Sequence, residues 1–186
     1  MRIGAGQVRR RLLITLVGAV VLLTGRPAWA KDPLFEAMAV VHVGRETPAP
    51  EFSLPTPEGK TISLAQLRGQ VVFLNFWATW CPPCRVEMPS MERLYGEFKD
   101  AGLIVLAVDM GESARQVARF MKEFRLSFPA LLDTNSDVSN RYGVRGLPTT
   151  FLVDRSGRIV GVAIGPRDWA GSESKALIRS LLEQKE

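Results

Sequence analysis

Histidine and cysteine are almost missing from this chain: one histidine, His42, and two cysteines, Cys81 and Cys84, stand among 186 residues. So small a set excludes a many-bridged disulfide scaffold and a histidine-rich metal site. Internal repeats and low-complexity tracts are absent too. No apolar run approaches the ~20 residues that an untilted helix needs to span a bilayer. The longest, Leu12 to Leu23, is interrupted only by Thr15 and Gly18. The length fits one ordinary domain with a short addition.

Acidic residues are absent from the first thirty positions, which instead hold Arg2, Arg9, Arg10, Arg11 and Arg26 around the apolar run and end in Ala28-Trp29-Ala30. A basic start, a short apolar centre and an A-x-A site are the layout of a secretory signal peptide, so residues 1–30 are expected to be removed on export. An uncleaved anchor tethering the protein to a membrane is the alternative, and Arg9-Arg10 also permits a twin-arginine route. The leader holds five of the 24 basic residues, leaving 19 basic against 19 acidic side chains in residues 31–186. The net charge of +5 therefore belongs to targeting, and nucleic acid is excluded as a partner. The expected location is the periplasm or another extracytoplasmic face.

Residues 31–46 read as a linker, because Gly44 to Pro50 is rich in turn residues and proline. Residues 47–186 read as one domain. Phe52-Ser53-Leu54 and Thr61-Ile62-Ser63 predict two short strands around a turn, and Leu64 to Leu67 one helical turn. Val71 to Phe76 lacks polar alternation, as in a strand buried on both faces. An amphipathic helix is expected from Arg85 to Lys99, with Val86, Met91, Leu94, Tyr95 and Phe98 on its apolar side and a kink at Pro89. Strands at Leu103–Val108 and Phe128–Leu132 alternate with helices at Ser113–Phe124 and Val138–Tyr142. A hairpin then joins Thr149–Val153 to Arg158–Ile164, and a helix over Ser172–Gln184 closes the chain. The expected fold class is α/β: a mixed central sheet flanked by helices, with an N-terminal β-hairpin extension and a central βα insertion.

The two cysteines are separated by Pro82 and Pro83 alone. A bridge closing so short a loop constrains little chain, so the pair reads as reactive chemistry rather than a staple. At a helix start, unpaired N–H groups and the dipole lower the pKa of the first thiol, and proline suits the first helical positions. Cys81 is thus the expected exposed nucleophile and Cys84 the shielded resolving thiol. Glu87, three residues beyond Cys84 on the same helix face, is the expected proton acceptor. Gly146, Leu147 and Pro148 precede a buried strand, where a cis-proline would free backbone groups for an extended substrate. Trp80, Pro82 and Pro83 complete the substrate-facing set, and Trp77 is assigned to the interior. Trp169 has no role legible in the sequence.

The runs Ala49-Pro50-Glu51-Phe52-Ser53-Leu54, Asn75 to Arg85 with Glu87 and Pro89, and Val144 to Phe151 resemble the TlpA/ResA-like branch of the thioredoxin superfamily, over about residues 47–184. The resemblance implies a thioredoxin fold and an extracytoplasmic thiol:disulfide oxidoreductase that uses no cofactor beyond the Cys81/Cys84 pair. It implies protein substrates carrying disulfides or CxxC motifs, such as apocytochrome c or copper-handling proteins, and a membrane thiol-reductant protein as electron donor. Where thioredoxin buries an aspartate beneath its cysteines this chain has Asn75, which shifts proton acceptance to Glu87. The Pro-Pro spacer lacks the histidine of strongly oxidising relatives, which favours a reductant.

Two other readings use the same residues. A peroxiredoxin-type thiol peroxidase shares the Ala49-Pro50-x-Phe52 opening but needs Thr or Ser three residues before its cysteine, where Ala78 stands. A metal-binding chaperone would recruit Cys81, Cys84 and His42, but His42 lies far upstream. No metal site is expected.

Overall fold

The computed structural model describes residues 32–44 and 47–184. The predicted leader lies outside the described residues, among which no helix is long and apolar enough to cross a membrane.

Six strands form the central sheet: β1 (Val41–His42), β4 (Val71–Trp77), β5 (Leu103–Met110), β6 (Ala130–Asp133), β7 (Thr149–Val153) and β8 (Ile159–Ile164). Their spatial order is β1-β8-β7-β4-β5-β6; β4, β5 and β6 run parallel, while β7, β8 and β1 add antiparallel neighbours. The predicted hairpin is present as β2 (Ser53–Pro55) and β3 (Thr61–Ser63), a separate two-stranded sheet. Alternating βα units demand parallel pairing through crossovers, and the Asp154–Gly157 turn demands an antiparallel end, so a mixed sheet follows from the chain order.

Every residue of β4 is buried. Side chains alternate across a strand, so Val71, Phe73 and Trp77 enter one core while Val72, Leu74 and Phe76 enter the other. The first core is closed by α2 (Pro82–Phe98), α3 (Ala114–Glu123) and α5 (Ser172–Glu183), the second by α4 (Asp137–Arg141), the β2–β3 hairpin and Leu64. Helix α2 begins at Pro82, earlier than expected, and is continuous through Pro89. Val86, placed by its spacing on the apolar side, is 76% exposed.

The expected linker is instead part of the domain. Asp32 caps a short helix α1 (Pro33–Ala37) by accepting from the Leu34 N–H, and Phe35, Met38 and Val40 are buried in the first core. Strand β1 then pairs Val41 with Val162 and His42 with Gly161 on β8. Gly161 makes this docking feasible, because a Cβ there would stand 2.8 Å from Phe35 Cε1 and 2.9 Å from Val40 Cγ1. His42 is exposed, its ring centroid 4.4 Å from that of Phe35. The sequence signal was misleading because a two-residue strand has no periodicity and its partner lies more than a hundred residues away.

Candidate active site: a disulfide between two buried carboxyl systems

Strand β4 delivers the chain to a turn at Ala78–Trp80, and α2 starts at once. Cys81 is the N-cap residue of α2, in extended backbone conformation, and its Sγ accepts the Cys84 N–H at 3.3 Å. This is the contact that stabilises a thiolate, since the first-turn N–H groups have no partner within the helix. Cys81 and Cys84 are joined in a disulfide, so the structure shows the oxidised state. In that state Cys84 is fully buried and Cys81 only 3% exposed, which corrects the expectation of an exposed first sulfur. Access comes through a shallow depression of about 560 Å³ beside Cys81, lined in part by Trp80, Pro82, Pro83, Gly146 and Leu147.

The expected substrate-facing residues therefore gather in one place. Trp80 is 67% exposed at the rim, and Trp77 is wholly interior. The Leu147–Pro148 bond is cis. Thr149 Oγ1 donates to Gly146 O at 2.7 Å and Pro148 O accepts from Gly165 N.

Glu87 lies one helical turn beyond Cys84 and is 1% exposed, which excludes a surface helix glutamate. Its Oε1 accepts from Asn75 Nδ2 at 2.8 Å, and its Oε2 accepts from Trp169 Nε1 at 3.1 Å and from the Arg167 N–H at 3.2 Å. Three donors favour the carboxylate, but burial outweighs them and pushes Glu87 up to about 7. Asn75, fully buried on β4, also donates to Thr150 Oγ1 on β7 at 2.9 Å, while its Oδ1 has no partner among the described residues.

Trp169 and Arg167, both unassigned from the sequence, hold this acid in place. The Trp169 ring meets Phe73 edge-on at 4.6 Å, and the Trp169 backbone N–H donates to Ser90 Oγ at 3.1 Å. The Arg167 guanidinium donates to Met38 O at 2.8 Å and Ala39 O at 2.9 Å, tying the N-terminal segment to the loop that reaches Glu87. No local pattern signals these contacts, which join residues about eighty and more than a hundred positions apart.

A second buried acid system stands at the end of β5, with Asp109 in the strand and Glu112 just after it. Asp109 is fully buried, and its Oδ1 accepts the Glu112 N–H at 3.0 Å. Burial and then the neighbouring Glu112 push Asp109 up to about 8. The Thr79 hydroxyl donates to Glu112 Oε1 at 2.6 Å. That hydroxyl is thus committed inside the protein, which weighs against its orienting a peroxide. Among the described residues no group of three or more His, Cys, Asp or Glu side chains is placed to hold a metal ion.

Residues 46–162 match the AhpC/TSA family. The chain is 40% identical over 157 residues to the thiol-disulfide oxidoreductase ResA of Bacillus subtilis, covering 84% of this chain and 87% of that protein. It is 48% identical over 117 residues to ResA of Halalkalibacterium halodurans, covering 63% of this chain and 66% of that one. Among solved structures it resembles a putative thiol:disulfide interchange protein DsbE from Chlorobium tepidum, with a TM-score of 0.68 and 32% identity over 73% of this chain and 96% of that one. StoA from Bacillus subtilis gives a TM-score of 0.60 and 28% identity, covering 73% and 98%. With its cysteine pair at the head of α2 on a thioredoxin fold, the chain belongs to the AhpC/TSA family and is a thiol:disulfide oxidoreductase of the ResA-like kind.

Proposed function

We propose that this protein reduces particular protein disulfides outside the cytoplasm, with Cys81 as nucleophile, Cys84 as resolving thiol and Glu87 as proton acceptor. The observation that carries the reading is Cys81 at the N-cap of α2 with the Cys84 N–H on its sulfur, and, one turn beyond Cys84, a buried carboxyl whose pKa is pushed up to about 7.

In the reduced protein the Cys81 thiolate attacks one sulfur of a substrate disulfide, forming a mixed disulfide and expelling the other substrate sulfur as thiolate. Cys84 gives its proton to Glu87, and its thiolate attacks Cys81 Sγ, closing the Cys81–Cys84 bond and releasing the second substrate thiolate. Two electrons pass to the substrate. Leu147, beside the cis-proline, and the rim residue Trp80 are the proposed guides for the substrate segment. No cofactor beyond the cysteine pair takes part.

Export is supported by the leader-like residues 1–30, with retention of that segment as a membrane tether as the other arrangement. The proposed substrates are disulfides of CxxC motifs, such as those of apocytochrome c or of copper-handling proteins, and a membrane thiol-reductant protein is the proposed donor. Reduction is favoured over oxidation because Pro82 and Pro83 place no imidazolium beside the thiolate.

Cys84→Ser is expected to accumulate mixed disulfides through Cys81, read by mass spectrometry after mixing with a protein disulfide. Trapping by Cys81→Ser instead would reverse the roles. A Cys81/Cys84 potential above about −180 mV, where isomerases and oxidants lie, would overturn the direction of flow.

A further inference from the structure

Thr79, two residues before Cys81, has all its polar groups engaged. Its N–H donates to Glu112 Oε2 at 2.5 Å, its hydroxyl donates to Glu112 Oε1 at 2.6 Å, and its carbonyl accepts from Arg85 Nη1 at 3.3 Å. Glu112 lies between β5 and α3, and Arg85 is on α2, its guanidinium 5.5 Å and 5.1 Å from the ring centroids of Phe120 and Phe124. The turn carrying Trp80 and Cys81 is thereby tied to two other parts of the fold, and Cys81 N closes it onto Ala78 O at 3.2 Å.

The grip is two-point, because each carboxyl oxygen of Glu112 accepts one bond from the same residue. Asp109 on β5 lies beside Glu112, Asp133 at the end of β6 acts on Asp109, and Arg85 on α2 reaches Thr79. Asp133 accepts the Val138 N–H at 3.1 Å and the Ser139 N–H at 2.8 Å. Asp109 accepts the Glu112 N–H on Oδ1, while its buried Oδ2 has no partner among the described residues.

We propose that Glu112 and Arg85 are positioning residues for the reactive cysteine, holding Thr79 from opposite sides so that Trp80 and Cys81 face an incoming disulfide in one fixed attitude. The inference rests on Cys81 being the nucleophile. Among the described residues no hydrogen bond joins Glu112 or Arg85 to either sulfur, so both act through Thr79.

The test uses the reduced protein and insulin as the disulfide, following the rate of mixed-disulfide formation in a Cys84→Ser background, with iodoacetamide labelling mapped by mass spectrometry. Thr79→Val and Glu112→Gln are each expected to slow attack about tenfold. The double variant should lose less than the product of the two single losses, since the hydroxyl–carboxyl bond is common to both, and Thr79→Ser should retain the wild-type rate. Multiplying losses, or a Thr79→Val protein as fast as wild type, would overturn the inference. Thr79→Val against Thr79→Ser decides the matter even if Glu112→Gln does not fold. Labelling at Cys84 in the wild type would defeat the nucleophile assignment itself, whereas labelling at Cys81 with unchanged variant rates defeats only the positioning role.

Discussion

The disulfide is flanked by two buried carboxyl systems that differ in what surrounds them. Glu87 is alone among donors: Asn75, Trp169 and the Arg167 backbone all present N–H groups, and burial still carries its pKa to about 7. Asp109 has one N–H on Oδ1, nothing on Oδ2 and a second carboxyl beside it, and it rises to about 8. The first arrangement stabilises both charge states, so it suits a group that takes up and releases a proton during turnover. The second has too few donors to hold a charge and keeps its proton at neutral pH. Two acids with similar titration ranges are thus fitted to opposite tasks by their partners, a distinction that burial alone does not reveal.

Stability should show the largest consequence. Both groups have folded-state pKa values above their unfolded ones, so the folded protein holds protons that the unfolded chain has already released. Stability is therefore fully present below about pH 4 and is lost as pH rises toward 8, opposite to the usual salt-bridged carboxylate. For Glu87 alone, the rise from 4.5 to about 7 corresponds to ~3 kcal/mol. Denaturant unfolding of the oxidised protein at pH 4.5, 6 and 8 should show this fall, part of which disappears in Glu87→Gln. A stability that instead climbs over the same interval would remove the contrast between these acids and ordinary surface carboxylates.

Catalysis should separate the two systems next. Loss of a general base costs ~10²–10⁴-fold, and thiol exchange belongs at the lower end. Glu87→Gln is expected to slow resolution of the mixed disulfide ~10²-fold near neutral pH, with the deficit shrinking as pH rises and Cys84 ionises unaided. The amide can be accommodated, because Asn75 can turn its unpartnered Oδ1 toward the new NH₂ group. Stopped-flow rates across pH will read the effect. If Asp109→Asn moves the midpoint of that profile as well, the two systems titrate as one and the comparison fails.

The smallest expected effect sharpens the account of Glu87. Trp169→Phe preserves most of the packing against Phe73 but removes one donor from the carboxylate, so the ionised form is disfavoured and the resolving step should titrate about one unit higher. An unmoved midpoint would assign Trp169 to packing alone.

Legibility followed sequence distance. The cysteine pair, its helix, the buried strand before it and the cis-proline element are local patterns, readable because each is specified within a few residues. Glu87 was reachable because i+3 spacing places it on the face of Cys84. Its partners Arg167 and Trp169 arrive from a loop after β8, and nothing near them in the chain records that meeting. Asp109 at the end of an apolar strand and Glu112 just after it look like ordinary strand-end acids; only the three-dimensional placement of Thr79 gives Glu112 a task. The segment 32–44 carried an apolar signal in Phe35, Met38 and Val40, but the Gly44–Pro50 run drew the reading toward a linker.

Gly161 turns that segment into something diagnosable elsewhere. Because any β-carbon at this strand position would strike Phe35 and Val40, the identity of one small residue reports whether a related chain can carry the same docked forward piece. A homologue with alanine or larger here should need a differently shaped extension or none. Gly161→Ala in this protein should expose the piece to a protease while leaving the strands around the cysteines intact, giving a trimmed five-stranded variant in which the link from Met38 and Ala39 through Arg167 is cut.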